Sequence, residues 1–353
     1  MAMYDYVVIG AGPAGAMFAY LASKHGYKVK VYDLAPRPAL KACGWAVPRH
    51  IERTLRIPPE AVLNEIRGFR VYASGELVHE SYGELWGYIV DKPTLIEYLL
   101  RGSDVEHKRP VKLTGRPRPR ILDDNIAAAR LSYVLAPGSA GLPQEERIYA
   151  VQQILKLNEP VDTDVVELYF EPMLIGYYWV FPRASRIVDV GVGGYEEPQK
   201  LLEMLKEFIP KRFQDAEPLG APRGAWINVG GVEEGLVHAH PPVIGEAAGF
   251  VYPITGEGIR PSIVSAAALY AMLEGKKPPE EYSKTVRWIG IQRRLLDAVR
   301  KSSPETRIRI IRTLPLDVYT GIGLGELSSF QLLKVLARLP KGLASILRSA
   351  LKK

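Results

Sequence analysis

The 353-residue chain has a single cysteine, Cys43. No disulfide can form within it, and a reducing compartment fits. It has no apolar run of the roughly 18 to 20 residues that a bilayer-spanning helix needs, and no repeat or low-complexity tract. Solenoids and long disordered tails are thereby set aside. Asn is scarce while Arg, Pro and Tyr are plentiful, a usage that leans towards a thermophile. No apolar leader opens the chain. Tyr4-Asp5-Tyr6-Val7-Val8-Ile9 enters a strand at once, so a cytoplasmic protein is expected. Acidic residues are outnumbered, 39 against 46 Lys and Arg, for a net charge of +7. That balance favours contact with phosphates or anionic lipid surfaces without choosing between them. Nucleic acid is not an expected partner, because only the net charge and the basic run near 107 to 120 speak for it.

What is present reads as globular: 47% hydrophobic and 24% charged residues. The length suggests one large interrupted domain or two domains. Residues 4 to 33 read as strand, glycine turn, helix and strand. The turn is Gly10-Ala11-Gly12-Pro13-Ala14-Gly15. Gly10 permits the tight turn, Gly12 lets the backbone approach a pyrophosphate, and Gly15 lets helix and strand pack closely. The helix N-terminus then offers free N–H groups to phosphates. The helix runs from Ala14 to His25 and stops at Gly26. Asp33 follows the second strand, where an acid is expected to accept ribose hydroxyls.

Farther along, residues 50 to 57 look helical. Residues 66 to 90 alternate with period two around a hairpin turn at Ser74-Gly75. Asp91 is placed to cap a helix running to Leu100, with Pro93 in its first turn. A strand at 131 to 136 ends in Pro137-Gly138, and strands fill 148 to 195. An amphipathic helix spans 198 to 209, with strands again near 223 to 231. Residues 236 to 275 read as strand-like, then glycine-rich, then a long helix. The chain from 278 onwards is helical and basic.

Gly245-Glu246-Ala247-Ala248-Gly249, followed by Pro253 and Gly256-Glu257-Gly258-Ile259, resembles the distal flavin motif of the aromatic hydroxylase and geranylgeranyl reductase superfamily. An acid after a strand can bind ribityl hydroxyls. A glycine-rich turn entering a helix can bring N–H groups to a reduced flavin. Glu246 stands where that motif has Asp. Ala136-Pro137-Gly138 occupies the place of the superfamily's middle motif, with Pro137 removing an N–H. Asp91-Lys92 resembles its Asp-Arg pair near FAD. Pro13-Ala14 in the first turn favours FAD over NAD by the same resemblance.

The most specific signal is Tyr177-Tyr178-Trp179-Val180-Phe181-Pro182, followed by Val190-Gly191-Val192-Gly193. In strand geometry Tyr177, Trp179 and Phe181 share a face, an apolar wall that suits a hydrocarbon. Alone, such aromatics could equally fill a sheet core. The pattern is similar to the signature of the geranylgeranyl reductase family, with Leu174 where the family has proline. Cys43-Gly44-Trp45, running on to Pro48, resembles that family's cysteine loop, with Trp45 in place of a glycine.

The resemblance covers about residues 1 to 275. It implies an α/β fold: a Rossmann-like FAD-binding domain with a parallel sheet, interrupted by an α+β substrate domain with a mostly antiparallel sheet, plus a C-terminal helical segment. The expected boundaries are 1–61, 91–147 and 232–275 for the FAD domain, 62–90 and 148–231 for the substrate domain, and 276–353 for the basic helical segment. The expected cofactor contacts are Gly10, Gly12, Pro13, Ala14, Gly15, Asp33, Cys43, Gly44, Lys92, Ala136, Gly138, Gly245, Glu246, Gly249, Gly256, Gly258 and Ile259. Trp45, Tyr177, Trp179, Phe181 and Pro253 are expected at the substrate, and Cys43, Tyr177 and Trp179 at the chemistry.

The implied reaction saturates prenyl double bonds in archaeal lipids, prenylquinones or related isoprenoids. Reduced flavin gives hydride to one alkene carbon, and an acid protonates the other. Cys43, Tyr177 and a water are the candidate proton sources. Electrons would come from NADPH or a ferredoxin-like partner protein, since no second dinucleotide fingerprint is present. A flavin monooxygenase and a non-catalytic prenyl-binding escort protein are the competing classes. No metal site is expected: His238-Ala239-His240 has a ligand-like spacing but no accompanying cluster. Leu332, Leu333, Leu336 and Leu339, then Leu343, Ile346, Leu347 and Leu351, recur at helical spacing among basic residues. They would either pack on the body or meet an anionic membrane peripherally.

Overall fold

The computed structural model describes residues 4–113, 120–122, 132–137 and 146–327, with 331, 334 and 337. The chain opens with β1 (Tyr6–Ile9), α1 (Pro13–Lys24), β2 (Val29–Tyr32) and β3 (Ala46–Pro48). Next come β4 (Val62–Ala73), β5 (Glu76–Val90), α2 (Lys92–Leu100), β6 (Asp104–Glu106) and β7 (Ser132–Leu135). Then follow β8 (Arg147–Lys156), β9 (Val165–Phe170), β10 (Gly176–Ala184), β11 (Ile187–Gly194), α3 (Pro198–Arg212), β12 (Glu217–Pro218) and β13 (Arg223–Asn228). The last elements are α4 (Glu234–Val237), α5 (Ile259–Leu273), α6 (Glu280–Arg300), α7 (Pro304–Thr313) and α8 (Leu316–Leu324).

A parallel sheet in the order β6-β2-β1-β7 forms the first layer. Its central strand is apolar on both faces: Val7, Val8 and Ile9 are all buried, as a doubly covered parallel strand requires. α1 lies on one face and packs against α5. Small residues let the two helices approach: Ala14, Ala16 and Ala19 on one, Ala266 and Ala267 on the other. α1 ends one residue before the expected His25, and Gly26 follows with φ +89°.

The second sheet runs β12-β8-β11-β10-β9-β4-β5-β3, with β13 also pairing with β8. It is antiparallel except where β4 meets β9. The β4–β5 hairpin turns at Ser74 and Gly75, both left-handed (φ +52° and +79°), as two-residue hairpin loops prefer. Asp91 caps α2 by accepting the Thr94 N–H at 3.5 Å. β3 falls within the range 1–61 yet pairs with β5 in this larger sheet.

Two expectations are corrected here. Residues 50 to 57 form only a 3₁₀ turn, Arg49–Arg53. The prolines at 48, 58 and 59 leave room for no more. The strand-like stretch from 236 starts as the tail of α4, and only Val243 bridges, in parallel, to Leu135.

One face of the second sheet is closed by α3 through Leu201 and Leu205. The other is roofed by α6, α7 and α8. No helix among the described residues is long and apolar enough to cross a membrane. Leu332, Leu333, Leu336, Leu339 and the hydrophobic positions beyond lie outside the described residues.

Candidate functional site

A cavity of about 840 Å³ runs between the two sheets and under the C-terminal helices, within the usual range for ligand pockets. At one end is the first glycine turn. Gly10 has φ +107°, and a Cβ there would sit 2.2 Å from the Ala136 carbonyl oxygen. A Cβ on Gly15 would sit 1.9 Å from the Gly10 oxygen. These two glycines permit packing. Gly12 differs: a Cβ there would meet nothing within 4 Å, and the residue lines the cavity with Pro13 and Ala14. The N-termini of α1 and α5, capped by Gly12 and Gly258 without any side-chain hydrogen bond, open on the same space. Lys92, only 5% exposed, lines it too and has no hydrogen-bond or ion-pair partner among the described residues. An open glycine backbone, two uncapped helix ends and a lysine lining the same cavity together fit the diphosphate of a dinucleotide.

Asp33 follows β2 directly, as expected. Its carboxylate accepts the Ala11 N–H at 2.5 Å and the Ala35 N–H at 2.7 Å, so it fixes the turn while facing the cavity. Glu246 accepts the Asn228 N–H at 3.0 Å and forms an ion pair with Lys41. That pair ties the cysteine loop to the distal glycine turn. Gly245, Pro253, Gly256, Gly258, Ile259 and Ala136 line the cavity. Gly249 does not; a Cβ there would strike the Gly231 carbonyl oxygen. Gly138 lies outside the described residues.

The distal turn is itself anchored. Arg260, 2% exposed, pairs with Glu257 and donates to the Leu324 carbonyl at 2.9 Å, at the end of α8. Its guanidinium also lies over the Tyr252 ring. Burial pushes the Glu257 carboxyl up, while Arg260 opposes that shift. The roof helix is thus fastened to the glycine turn.

The middle of the cavity is the wall predicted from the sequence. Tyr177, Trp179 and Phe181 stand in a row on β10, neighbouring ring centres 6.2 Å apart. The register explains why their motif carries glycines on the next strand. Trp179 faces Gly191 and Tyr177 faces Gly193. A Cβ on Gly191 would lie 2.1 Å from the Trp179 ring, so the indole needs that glycine in order to lie flat. Gly44 of the cysteine loop presses on the same wall; a Cβ there would be 2.8 Å from Phe181.

The Tyr177 hydroxyl donates to the Thr255 carbonyl. Burial, with Cys43 adding, pushes its pKa well above that of an ordinary phenol. Cys43 is a half-buried free thiol on the cavity. The Trp179 N–H donates to Asp189 at 3.1 Å. Among the described residues no group of three or more His, Cys, Asp or Glu could hold a metal.

Sequence reasoning missed two parts of this site. One is Asp189, fully buried, which also accepts the Gln152 amide at 3.1 Å and pairs with Arg183. Its only signal was an acid inside the apolar run before Val190. The other is the roof: Leu295, Val299, Ile308, Ile311, Tyr319 and Ile322 face the cavity from α6, α7 and α8.

A family model for an NAD(P)-binding Rossmann-like domain matches residues 8–65, and one for a geranylgeranyl reductase catalytic domain matches 147–224. The second span contains the aromatic wall, its facing glycines and Asp189. The chain is 29% identical over 292 residues to a digeranylgeranylglycerophospholipid reductase of Methanocaldococcus jannaschii, covering 73% of each. It is 26% identical over 335 residues to the enzyme of that name from Thermoplasma volcanium, covering 84% of each. Among solved structures it resembles a geranylgeranyl bacteriochlorophyll reductase-like protein from Thermoplasma acidophilum, with TM-score 0.76, 20% identity and 99% of each chain covered. A flavin-dependent brominase shares the fold at TM-score 0.64 and 16% identity, over 99% of this chain and 98% of its own.

Proposed function

We propose that the chain is a geranylgeranyl reductase-type enzyme, in keeping with the catalytic-domain match and the reductases it resembles: an FAD-dependent reductase that saturates carbon–carbon double bonds of prenyl chains. The substrates are isoprenoid lipids or prenylquinones. One observation carries the reading: an aromatic hydrocarbon wall and an open dinucleotide cradle share a single cavity. FAD, once reduced, supplies a hydride there.

The residues of this chain do the rest. Gly12, Lys92 and the two helix ends hold the diphosphate, and Asp33 and Glu246 fix the turns around the sugar-like portions. We divide the chain functionally as its sequence suggests: segments 1–61, 91–147 and 232–275 carry the cofactor, while 62–90 and 148–231 carry the substrate face. Tyr177, Trp179 and Phe181 exclude water and align the chain, because an isolated alkene has no carbonyl to polarise and depends on orientation. We assign the proton to the Cys43 thiol. Tyr177, with its proton on the Thr255 carbonyl and its acidity suppressed by burial, and Trp179, with its N–H on Asp189, serve as wall.

NADPH or a reduced ferredoxin-like protein is the electron source, docking transiently. Peripheral contact with an anionic membrane through the basic C-terminal stretch would bring lipid to the cavity. The test is anaerobic: the bound flavin is reduced chemically and mixed with a geranylgeranyl lipid. Flavin reoxidation with stoichiometric double-bond loss is expected. A flavin that stays reduced overturns the reading.

A further inference from the structure

Trp45 adopts φ +64°, a left-handed conformation that bulky side chains rarely tolerate. Its surroundings account for its being held there. The Arg183 guanidinium lies over the indole, 3.6 Å from the ring centre, and the Trp45 carbonyl accepts the Val90 N–H at 3.0 Å. Arg183 is in turn ion-paired to Asp189. The same carboxylate takes the Trp179 N–H on its other oxygen. One buried acid therefore fixes two tryptophans, Trp179 directly and Trp45 through Arg183. Both line the cavity. Trp45 also packs on the cluster of Ile66, Phe69, Ile89 and Val166, from β4, β5 and β9. Only a planar guanidinium can stack on an indole while presenting a fork to a carboxylate. Arg183, at 14% side-chain exposure, is largely withdrawn from water, which strengthens both contacts.

We propose that Trp45, held flat by the Arg183–Asp189 pair, is the gauge that limits how far a hydrocarbon chain advances in the cavity, and so selects which double bonds are reduced. This rests on the prenyl reductase reading. Trp45 is the specificity residue; Arg183 and Asp189 are positioning residues that act through it.

The test uses the full-length, flavin-loaded protein, reduced anaerobically and given geranylgeranyl lipid. Products are resolved by mass spectrometry according to the number and position of bonds saturated. Trp45→Gly, which relieves the backbone strain, is expected to shift the ratio of bond positions at least about tenfold, the discrimination one methylene gives an apolar pocket. Trp45→Phe keeps a ring and is expected to shift it less. Arg183→Met alone would leave Asp189 buried and unpaired, so it is combined with Asp189→Asn, which keeps an oxygen for the Trp179 N–H. This pair is expected to move the profile in the same direction as Trp45→Gly. A wild-type profile from the Trp45 variants and the double variant, with flavin content and reoxidation retained, overturns the proposal. No reoxidation by the unsubstituted protein overturns the reductase reading and this proposal with it.

Discussion

The two faces of the larger sheet are built from the same strands and have opposite characters. On the α3 side β11 contributes Val188, Val190 and Val192, all with no exposure. These pack with Val151, Leu155, Tyr178 and Val180 beneath Leu201 and Leu205. On the cavity side the alternate residues of β11 are Asp189, Gly191 and Gly193, beside Gln152 and the Tyr177-Trp179-Phe181 row. One face is filled with methyl groups. The other withholds side chains where rings must lie and carries a buried acid to orient them. Missing volume on one side of a strand whose other side is perfectly regular marks a face that shapes a ligand space instead of a core.

Substitutions on the two sides should therefore fail differently. The largest effect is expected from Cys43→Ala, above the cavity face. Single-turnover reoxidation of reduced flavin by prenyl lipid should slow by about 10²–10⁴-fold, the usual contribution of a positioned acid, with flavin content retained. A normal rate would move the proton to another group.

On the opposite face Leu205→Ala should cost about 2–5 kcal/mol in denaturant unfolding and leave that rate unchanged in the folded fraction. A slowed rate would break the comparison, because the helix side would then be shaping the site. Gly191→Ala comes next. Its methyl must displace the Trp179 ring. A misplacement of that kind costs about 100-fold in rate, while overpacking costs only about 1–3 kcal/mol in stability. A stability loss with no rate loss would make this face ordinary core.

The smallest effect belongs to the roof. His50 faces the Leu324 carbonyl at 3.2 Å. Burial, with Arg53 and Arg260 nearby, lowers its pKa from the ordinary 6.5, against the pull of that carbonyl and Glu326. A lowered folded-state value means that the unfolded chain takes up the proton first. Stability should therefore fall as pH drops below about 6.5. His50→Gln should flatten that limb of a Tm-versus-pH curve; an unchanged limb would place the titration elsewhere.

Much of the cavity was legible in the sequence because its motifs are local. The glycine turn, the Ser74-Gly75 hairpin and the alternating aromatics each state their geometry within a few residues. The rest depends on register and tertiary contact. Asp189 looks like any polar residue in a strand until β11 is set against β10 and its oxygen meets the Trp179 N–H. Lys92 is expected at the cofactor only through the resemblance; the residues around it would equally suit a solvated helix start, and only the seating of α2 puts it on the cavity. The apolar positions of α6 to α8 announce that one face is covered, but not that it covers a ligand space. The strand Asp104–Glu106 has no sequence signal, because a single Val between two acids carries no periodic pattern. Read as strand-like, the stretch beginning at 236 misled because four residues of α4 are too few to show a helical period.

Arg260 gives the molecule one more property. Its guanidinium joins the glycine turn at 257 to the last carbonyls of α8, so neither can open alone without leaving a buried charge unsatisfied. Turn and roof therefore form one cooperative unit. Amide exchange should report them as a block, α8 gaining protection whenever the turn does. A ligand gripped at either end is then felt as rigidity at the other.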